Sequence, residues 1–593
     1  MLSFIVLLLI ATVLVVGSDE RHEDKALEVF QAANPPRKTF DDVVCRQTIV
    51  QHVFENSYGA PFAGTYTPPH YCDFTTVVLN LSATSQGRQH DRLALLYFND
   101  VEIWRTSTPT PTQSGIHWSY VKDITIFRSL LDREQKVIFD LPNAIDGNLY
   151  TGAFNVTIEA LYFNDEYQSG FTPAEEIFAI SNLTSAQNTP SVFNLPGDSG
   201  VANLTLPRNI KNAVVSIMAS GNGAEEFWFA NVPSEYTDTF STSPLGPLSG
   251  HSPFREVQLL IDGQLAGISW PFPIIFTTGI DPGAWRPIVG LNAYDLPSFE
   301  VDVTPWLSLL CDGQAHSFQL QVVGYDSLTQ DNIGTVGDNW WVSASLFVWL
   351  DHAVNETEAG PINKVHSGPT FDFEAFIGTE ISSNGSVSNT SFSFSLAAER
   401  SLSITSTRAT TNGTRVVSWH QHLSYISIQN LTNSALNQTT SAVTSGSHYS
   451  DVSDVVSRYV YPLTLYSSYD VSPEGPVIHP GSVLCMVDRS AIDDGVNLLQ
   501  FYSGVEVGTK SLVGRQNITS KYYWNDTIVE GTGSNNKCNG ETWFTYSGAP
   551  AFAAGVKEYS RYLRESDDAI VADQQAWTTI VVPNTIPIWD VEG

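Results

Sequence analysis

Short runs of alternating apolar and polar residues recur along this chain between Gly, Asn, Asp and Pro: VVLNLSA at 77–83, NVTIEALYF at 155–163, NAVVSIMAS at 212–220, REVQLLIDG at 255–263 and HSFQLQVVG at 316–324. A period of two turns every second side chain to the same face of a strand. Runs of this length broken by turn residues predict antiparallel β-sandwiches rather than βαβ units. Helical periodicity is confined to KALEVFQAA at 25–33 and to 557–577, which contains KEYSRYLRESDDAIVADQQ. From about 365 the composition turns toward Ser, Thr and Asn while alternation continues, as in SFSFSL at 391–396, and predicts a third β region. Residues 433–450 lack apolar periodicity and read as a loop or linker. The expected organisation is all-β: a leader at 1–18, a sandwich at 19–200, a second at 201–360 and a glycosylated β region at 361–593. One phrase occurs twice, Asp123-Ile-Thr with Ser129-Leu-Leu and Asp302-Val-Thr with Ser308-Leu-Leu, each ahead of a strand.

The apolar run LSFIVLLLIATVLVV at 2–16 precedes Gly17 and Ser18, and it is shorter than the roughly 20 residues of a spanning helix. It reads as a signal peptide; the lack of Lys or Arg before it keeps a signal anchor as the alternative. Secretion, with a vacuole as the other destination, agrees with twelve Asn-x-Ser/Thr sequons at Asn80, Asn155, Asn182, Asn203, Asn355, Asn384, Asn389, Asn412, Asn430, Asn437, Asn517 and Asn525. Five widely spaced cysteines suit an oxidising compartment better than a zinc site. Connectivity is not legible in spacing; the expected pairs are Cys45–Cys72 and Cys485–Cys538, with Cys311 free. A formal charge of −33, from 29 basic and 62 acidic residues, argues against nucleic acid and anionic membranes as partners and favours an acidic working environment.

Four segments concentrate unusual residues. GRQHDRLALLYFNDVEIWRTSTPTPT at 87–112 puts Asp91-Arg92 before an apolar strand, then Glu102, Trp104 and Arg105 before a turn. A guanidinium beside a carboxylate favours its ionised form, although a surface ion pair accounts for the same residues. GIHWSYVKDITIFRSLL at 115–131 offers Trp118, Lys122 and Asp123, and here a capped turn is the competing reading. SGNGAEEFWFANVP at 220–233 sets Glu225-Glu226 against Phe227-Trp228-Phe229, and a carboxylate held against aromatic faces has a raised pKa and can sit beside a sugar ring. In the stretch at 270–307, Trp285-Arg286-Pro287 joins a stacking surface to a bidentate donor; a rigid loop packing Trp on the core is equally compatible. No nucleophile elbow, HExxH, phosphate loop or His/Cys cluster is present in the sequence.

GRQHDR at 87–92, VEIWRTSTP at 101–109, GIHWSYVKDIT at 115–125, EEFWFANVP at 225–233, FRE with IDG at 254–263 and PFPIIFTTGIDPGAWRP at 271–287 closely resemble, in this order, the peptide-N4-(N-acetyl-β-glucosaminyl)asparagine amidase A family of plants and fungi. The similarity covers roughly 70–350 and fades after 360. It implies a secreted or vacuolar amidase that releases N-glycans from glycopeptides or glycoproteins as glycosylamines, converting Asn to Asp, with no metal or organic cofactor. The chain resembles more weakly the flavobacterial peptide:N-glycosidases, whose two jelly-roll sandwiches hold the active site between them. That resemblance assigns the principal catalytic carboxylate to Asp91, with Arg92 as its substrate-binding neighbour, and matches a second carboxylate to Glu226 in Glu226-Phe227. Asp140 lies nearest to the position of a third functional Glu, with a changed side chain. Arg105, Trp118, Trp228, Trp285 and Arg286 are the further candidates for holding sugar. A glycan-binding protein without turnover and an endoglycosidase remain the alternatives.

Overall fold

The computed structural model describes residues 26–34, 43–164, 171–240, 243–410, 413–450, 455–471, 481–504, 510–524, 537–547 and 556–579, so the expected leader at 1–18 lies outside the described residues. The chain is all-β, and each of the alternating runs named above falls on a strand, REVQLLIDG running past its strand into the turn at Asp262-Gly263. In Thr76–Gln86 the apolar positions Val77, Leu79, Leu81 and Ala83 turn inward while Ser82 and Thr84 face out. This strand sits in a five-stranded sheet of order Leu27–Glu28, Ile116–Asp123, Thr76–Gln86, Ala153–Phe163, Val43–Phe54. Facing it is a four-stranded sheet of order Phe62–Tyr66, Gln135–Asp140, Leu93–Phe98, Val101–Ser107. Leu79, Leu81 and Phe54 of the first sheet share a core with Leu96, Phe98 and Phe139 of the second, and the Phe54 and Phe139 rings meet edge-on at 5.7 Å. Each such side chain contributes on the order of 1.5–3 kcal/mol by leaving water.

A second pair of sheets follows. One runs Glu176–Ile180, Trp340–Leu350, Ile210–Gly221, Phe299–Asp302, with Phe193–Leu195 also on Trp340–Leu350. The other runs Val201–Thr205, Ala315–Tyr325, Glu256–Ile261, Gln264–Ser269, with Ile333–Gly334 on Ala315–Tyr325. The repeated phrase performs the same task in both pairs. Asp123 accepts the Thr125 N–H at 2.7 Å and Asp302 accepts the Thr304 N–H at 2.9 Å. Each Thr hydroxyl accepts a backbone N–H of the neighbouring strand, from Val77 at 3.1 Å and from Ala213 at 3.2 Å. A one-turn helix then follows, Arg128–Leu131 or Leu307–Leu310. The interface between the two sheet pairs includes Arg105, which is fully buried. It pairs with Glu102 at 2.8 Å and donates to Ser220 Oγ at 2.9 Å and to the Trp341 carbonyl at 2.7 Å.

After residue 360 the chain forms one sheet of eleven strands, from Asn363–His366 through Val387–Thr410 and Gly413–Thr432 to Ala569–Thr579. Three expectations are corrected here. Residues 433–450 are no linker: Asn433, Ser434 and Ala435 turn with positive φ, and Asn437–Ser450 is a strand paired on both sides. Ladder hydrogen bonds hold this strand, so it needs little apolar alternation. The segment 557–577 is a hairpin, Val556–Ser566 with Ala569–Thr579, closed by Asp567 and Asp568 at φ 48° and 65°. Pairing with Lys537–Ser547 overrides its helix propensity. In 26–33, Leu27–Glu28 is instead a short strand parallel to Ile116–His117.

Cys45 and Cys72 form the expected disulfide and Cys311 is a buried thiol. Cys485 and Cys538 are buried free thiols, against the expectation of a bond. Both pair with Ser520, one on each side of its strand. Two strand spacings separate their backbones by roughly 9.5 Å, beyond the ~7 Å a disulfide spans.

Candidate active site

Asp91 and Arg92 lie just before Leu93–Phe98, and their backbone is pinned by two threonine hydroxyls, one from the same segment and one from the fourth. The Arg92 N–H donates to Thr108 Oγ at 2.9 Å, and the Thr108 N–H returns a bond to the Arg92 carbonyl at 2.9 Å. The Asp91 N–H donates to Thr278 Oγ at 3.1 Å, and that hydroxyl donates to Asp91 Oδ1. Thr110 bridges Thr277 and Thr278 at 3.1 and 3.3 Å, so the Thr-rich turn of the first segment is locked onto the fourth. The Arg92 guanidinium donates to Gln89 Oε1 at 2.6 Å and Asn143 Oδ1 at 3.3 Å. Burial pushes the Asp91 pKa up, opposed by the Thr278 hydroxyl and by the Arg92 charge.

Glu225 and Glu226 diverge at a tight turn, Gly223–Glu225. Glu225 points inward: Arg255 donates to both its oxygens at 2.6 and 2.8 Å, the Trp340 indole at 2.7 Å and the Gly337 N–H at 2.9 Å. Glu226 points the other way, half-buried, into the cavity that holds Asp91. Burial first, and the Asp91 charge second, raise its pKa from 4.5 to about 8. The site therefore pairs a carboxyl group anchored by the Thr278 hydroxyl, with the Arg92 charge nearby, with a second carboxyl group that keeps its proton at neutral pH.

The cavity has a volume of about 730 Å³, within the range of ligand pockets. His90, Asp91, Arg92 and Thr278 form one side, and Glu226, Phe227 and the 245–249 loop another. The long C-terminal sheet closes it with Leu431, Gln438, Leu465, Tyr469, Val483 and Tyr522. Tyr469, Val483 and Tyr522 are cross-strand neighbours on three adjacent strands.

Of the residues expected at the site, Asp91, Arg92 and Glu226 meet here. The others do not line this cavity, and packing explains where each one lies. Arg105 is consumed by the buried interface described above. Trp118 packs on Phe154 inside the first sheet pair. Asp140 is buried opposite Leu95, and burial pushes its pKa up to about 6. Trp228 lies against Trp340 in the core. Trp285 is fully buried and donates its indole N–H to the Gly279 carbonyl at 2.9 Å, which holds the turn behind Thr278. Arg286 is also buried, 3.6 Å from Asp568 of the C-terminal hairpin. Sequence reasoning passed over Thr278, whose only local signal is its place in Thr277-Thr278-Gly279, and the aromatic wall of Tyr469 and Tyr522.

Among the described residues no group of three His, Cys, Asp or Glu could hold a metal. No helix there is long and apolar enough to cross a membrane. Of the sequon asparagines, Asn412 and Asn525 lie outside the described residues. Asn155, Asn182, Asn203, Asn355, Asn384, Asn430 and Asn517 are exposed and Asn80, Asn389 and Asn437 are half-buried.

A family described as peptide N-acetyl-beta-D-glucosaminyl asparaginase amidase A matches residues 33–367, and its C-terminal domain matches 393–463. The peptide-N4-(N-acetyl-beta-glucosaminyl)asparagine amidase A of Prunus dulcis is 34% identical over 395 residues, spanning 61% of this chain and 65% of that relative. Among solved structures, recombinant peptide: N-glycanase F aligns at 16% identity and a TM-score of 0.33, over 52% of this chain and 96% of that one. A PNGF-II structure aligns at 12% and 0.34, over 58% and 65%.

Proposed function

The chain belongs to the peptide N-acetyl-beta-D-glucosaminyl asparaginase amidase A family, and we propose that it hydrolyses the amide bond between N-acetylglucosamine and asparagine in N-glycopeptides or glycoproteins. The observation that carries this reading is the convergence of Asp91 and Glu226, 135 positions apart in the numbering, on one cavity beside Arg92. Water adds to the side-chain amide carbon, and Asp91 takes the proton it sheds. The oxyanion is met by the Arg92 guanidinium, which is aimed by Gln89 and Asn143. Collapse breaks the C–N bond as the proton held by Asp91 passes to the departing nitrogen, which leaves as the neutral glycosylamine while the peptide keeps an aspartate. Glu226, still protonated near neutral pH, donates a hydrogen bond to the sugar beside the reacting amide. Phe227, Tyr469 and Tyr522 supply faces for sugar rings.

The same reading takes the two sheet pairs as tandem jelly-roll sandwiches and the protein as secreted or vacuolar, N-glycosylated and free of stable membrane association once its leader is removed. The Cys45–Cys72 bond and the exposure of seven of the ten described sequon asparagines support that compartment. One assay tests the reaction. A glycopeptide incubated in heavy-oxygen water should yield peptide with labelled Asp at the former sequon. Asn bearing one residual sugar would mean an endoglycosidase, and unchanged substrate a binding protein.

A further inference from the structure

The Glu226 loop ends in a second tight turn, Trp228–Ala230, whose last carbonyls lack partners within the turn. The Phe229, Ala230 and Asn231 carbonyls are instead taken by two glutamines of the C-terminal sheet. Gln429, fully buried, donates through Nε2 to Phe229 O at 3.2 Å and Asn231 O at 3.3 Å. Gln438 donates through its own Nε2 to Ala230 O at 2.8 Å and to Gln429 Oε1 at 3.0 Å. The two glutamines sit on adjacent strands, Gly413–Thr432 and Asn437–Ser450. Together they form a closed clamp on three successive carbonyls only a few residues from the Glu226 carboxyl.

We propose that Gln429 and Gln438 are positioning residues for the amidase reaction, and that the C-terminal sheet acts in catalysis by setting where the Glu226 loop stands against Asp91. The inference rests on the reading of Glu226 given above. Backbone carbonyls are the right handles for such a role, because they move with the main chain and fix the Cα path leading to Glu226. A misplacement of about 1 Å in a catalytic group can cost a hundredfold in rate.

The same sheet provides an internal control. Gln421, nearly fully buried, grips the backbone of Ile268 with both ends of its amide, accepting from N–H at 2.9 Å and donating to C=O at 2.7 Å. Neither residue lines the cavity. Gln421→Leu should therefore lower thermal stability and leave kcat unchanged. Gln438→Leu and Gln429→Leu should lower kcat on a glycopeptide by about ten- to a hundredfold with KM held within about twofold. They should also move the alkaline limb of the kcat/KM profile. The double variant should be no slower than the worse single one, because both act on one clamp. Should Gln429→Leu not fold, half-buried Gln438→Leu carries the test alone. Wild-type kcat and pH profile in Gln438→Leu, or an equal kcat loss in Gln421→Leu, would overturn the inference. A wild-type protein inert on glycopeptides would instead overturn the amidase reading itself.

Discussion

Thr278 Oγ accepts the Asp91 backbone N–H at 3.1 Å and donates to the carboxylate of the same residue, so one hydroxyl fixes both the main chain and the side chain of Asp91. The two residues lie in different sequence segments and meet only because 277–278 pack on the 106–110 turn. A hydrogen bond to a charged group contributes about 1.5–3 kcal/mol. Thr278→Val should therefore lower kcat/KM by roughly ten- to a hundredfold. Its loss removes an influence that lowers the Asp91 pKa, so the acidic limb of the pH profile should move upward. Steady-state kinetics across pH checks both.

Asp91→Asn should abolish turnover and leave the fold intact. Burial already disfavours the ionised carboxylate, and an amide of equal size still accepts the Thr278 hydroxyl. Thermal unfolding at neutral pH should show no loss of stability, while glycan release falls below detection.

Burial and the Asp91 charge push the Glu226 pKa up to about 8, so activity that needs its proton should decline as the pH rises through that value. The native state binds this proton more tightly than the unfolded chain, whose Glu titrates near 4.5, so stability attributable to Glu226 declines between about pH 4.5 and 8. Glu226→Gln keeps a neutral donor and should be more stable than wild type above pH 8. Denaturant unfolding at pH 6 and pH 9 gives the comparison.

Glu225→Gln should behave in the opposite way to its neighbour. It leaves Arg255 buried without its counter-charge, which costs about 3–5 kcal/mol. The loss should appear in denaturant melts at neutral pH, where Glu226→Gln shows none.

Alkylation of the denatured, unreduced protein should label three thiols, Cys311, Cys485 and Cys538, and reduction should raise the count to five. Intact mass resolves the two states. Labelling of only Cys311 before reduction would contradict the strand register that separates Cys485 from Cys538.

The strands were legible because alternation is local: Val77, Leu79 and Leu81 announce a buried face in three letters of every second position. The hairpin at 556–579 was misread because KEYSRYLRE favours a helix until a neighbouring strand offers a ladder. At the site, Asp91, Arg92 and Glu226 were legible through the family resemblance of the segments that hold them, whereas Trp118, Trp228 and Trp285 stand in the same segments and turn inward. Composition marks a residue as suited to a ligand. It does not say on which side of the backbone the ligand lies.

The sequence by itself determined the all-β character and the alternation that sorts strand residues between two faces, and its resemblance to known amidases singled out the carboxylates at 91 and 226. Only the tertiary structure decided that Glu226 rather than Glu225 enters the cavity, that Thr278 anchors Asp91, and that a Ser- and Thr-rich sheet after residue 360 forms the remaining wall. The reason is geometric. Successive residues of a tight turn point roughly 120° apart, so one becomes a buried ion pair and the next a cavity acid according to what packs against the turn, and that partner lies far away in the chain.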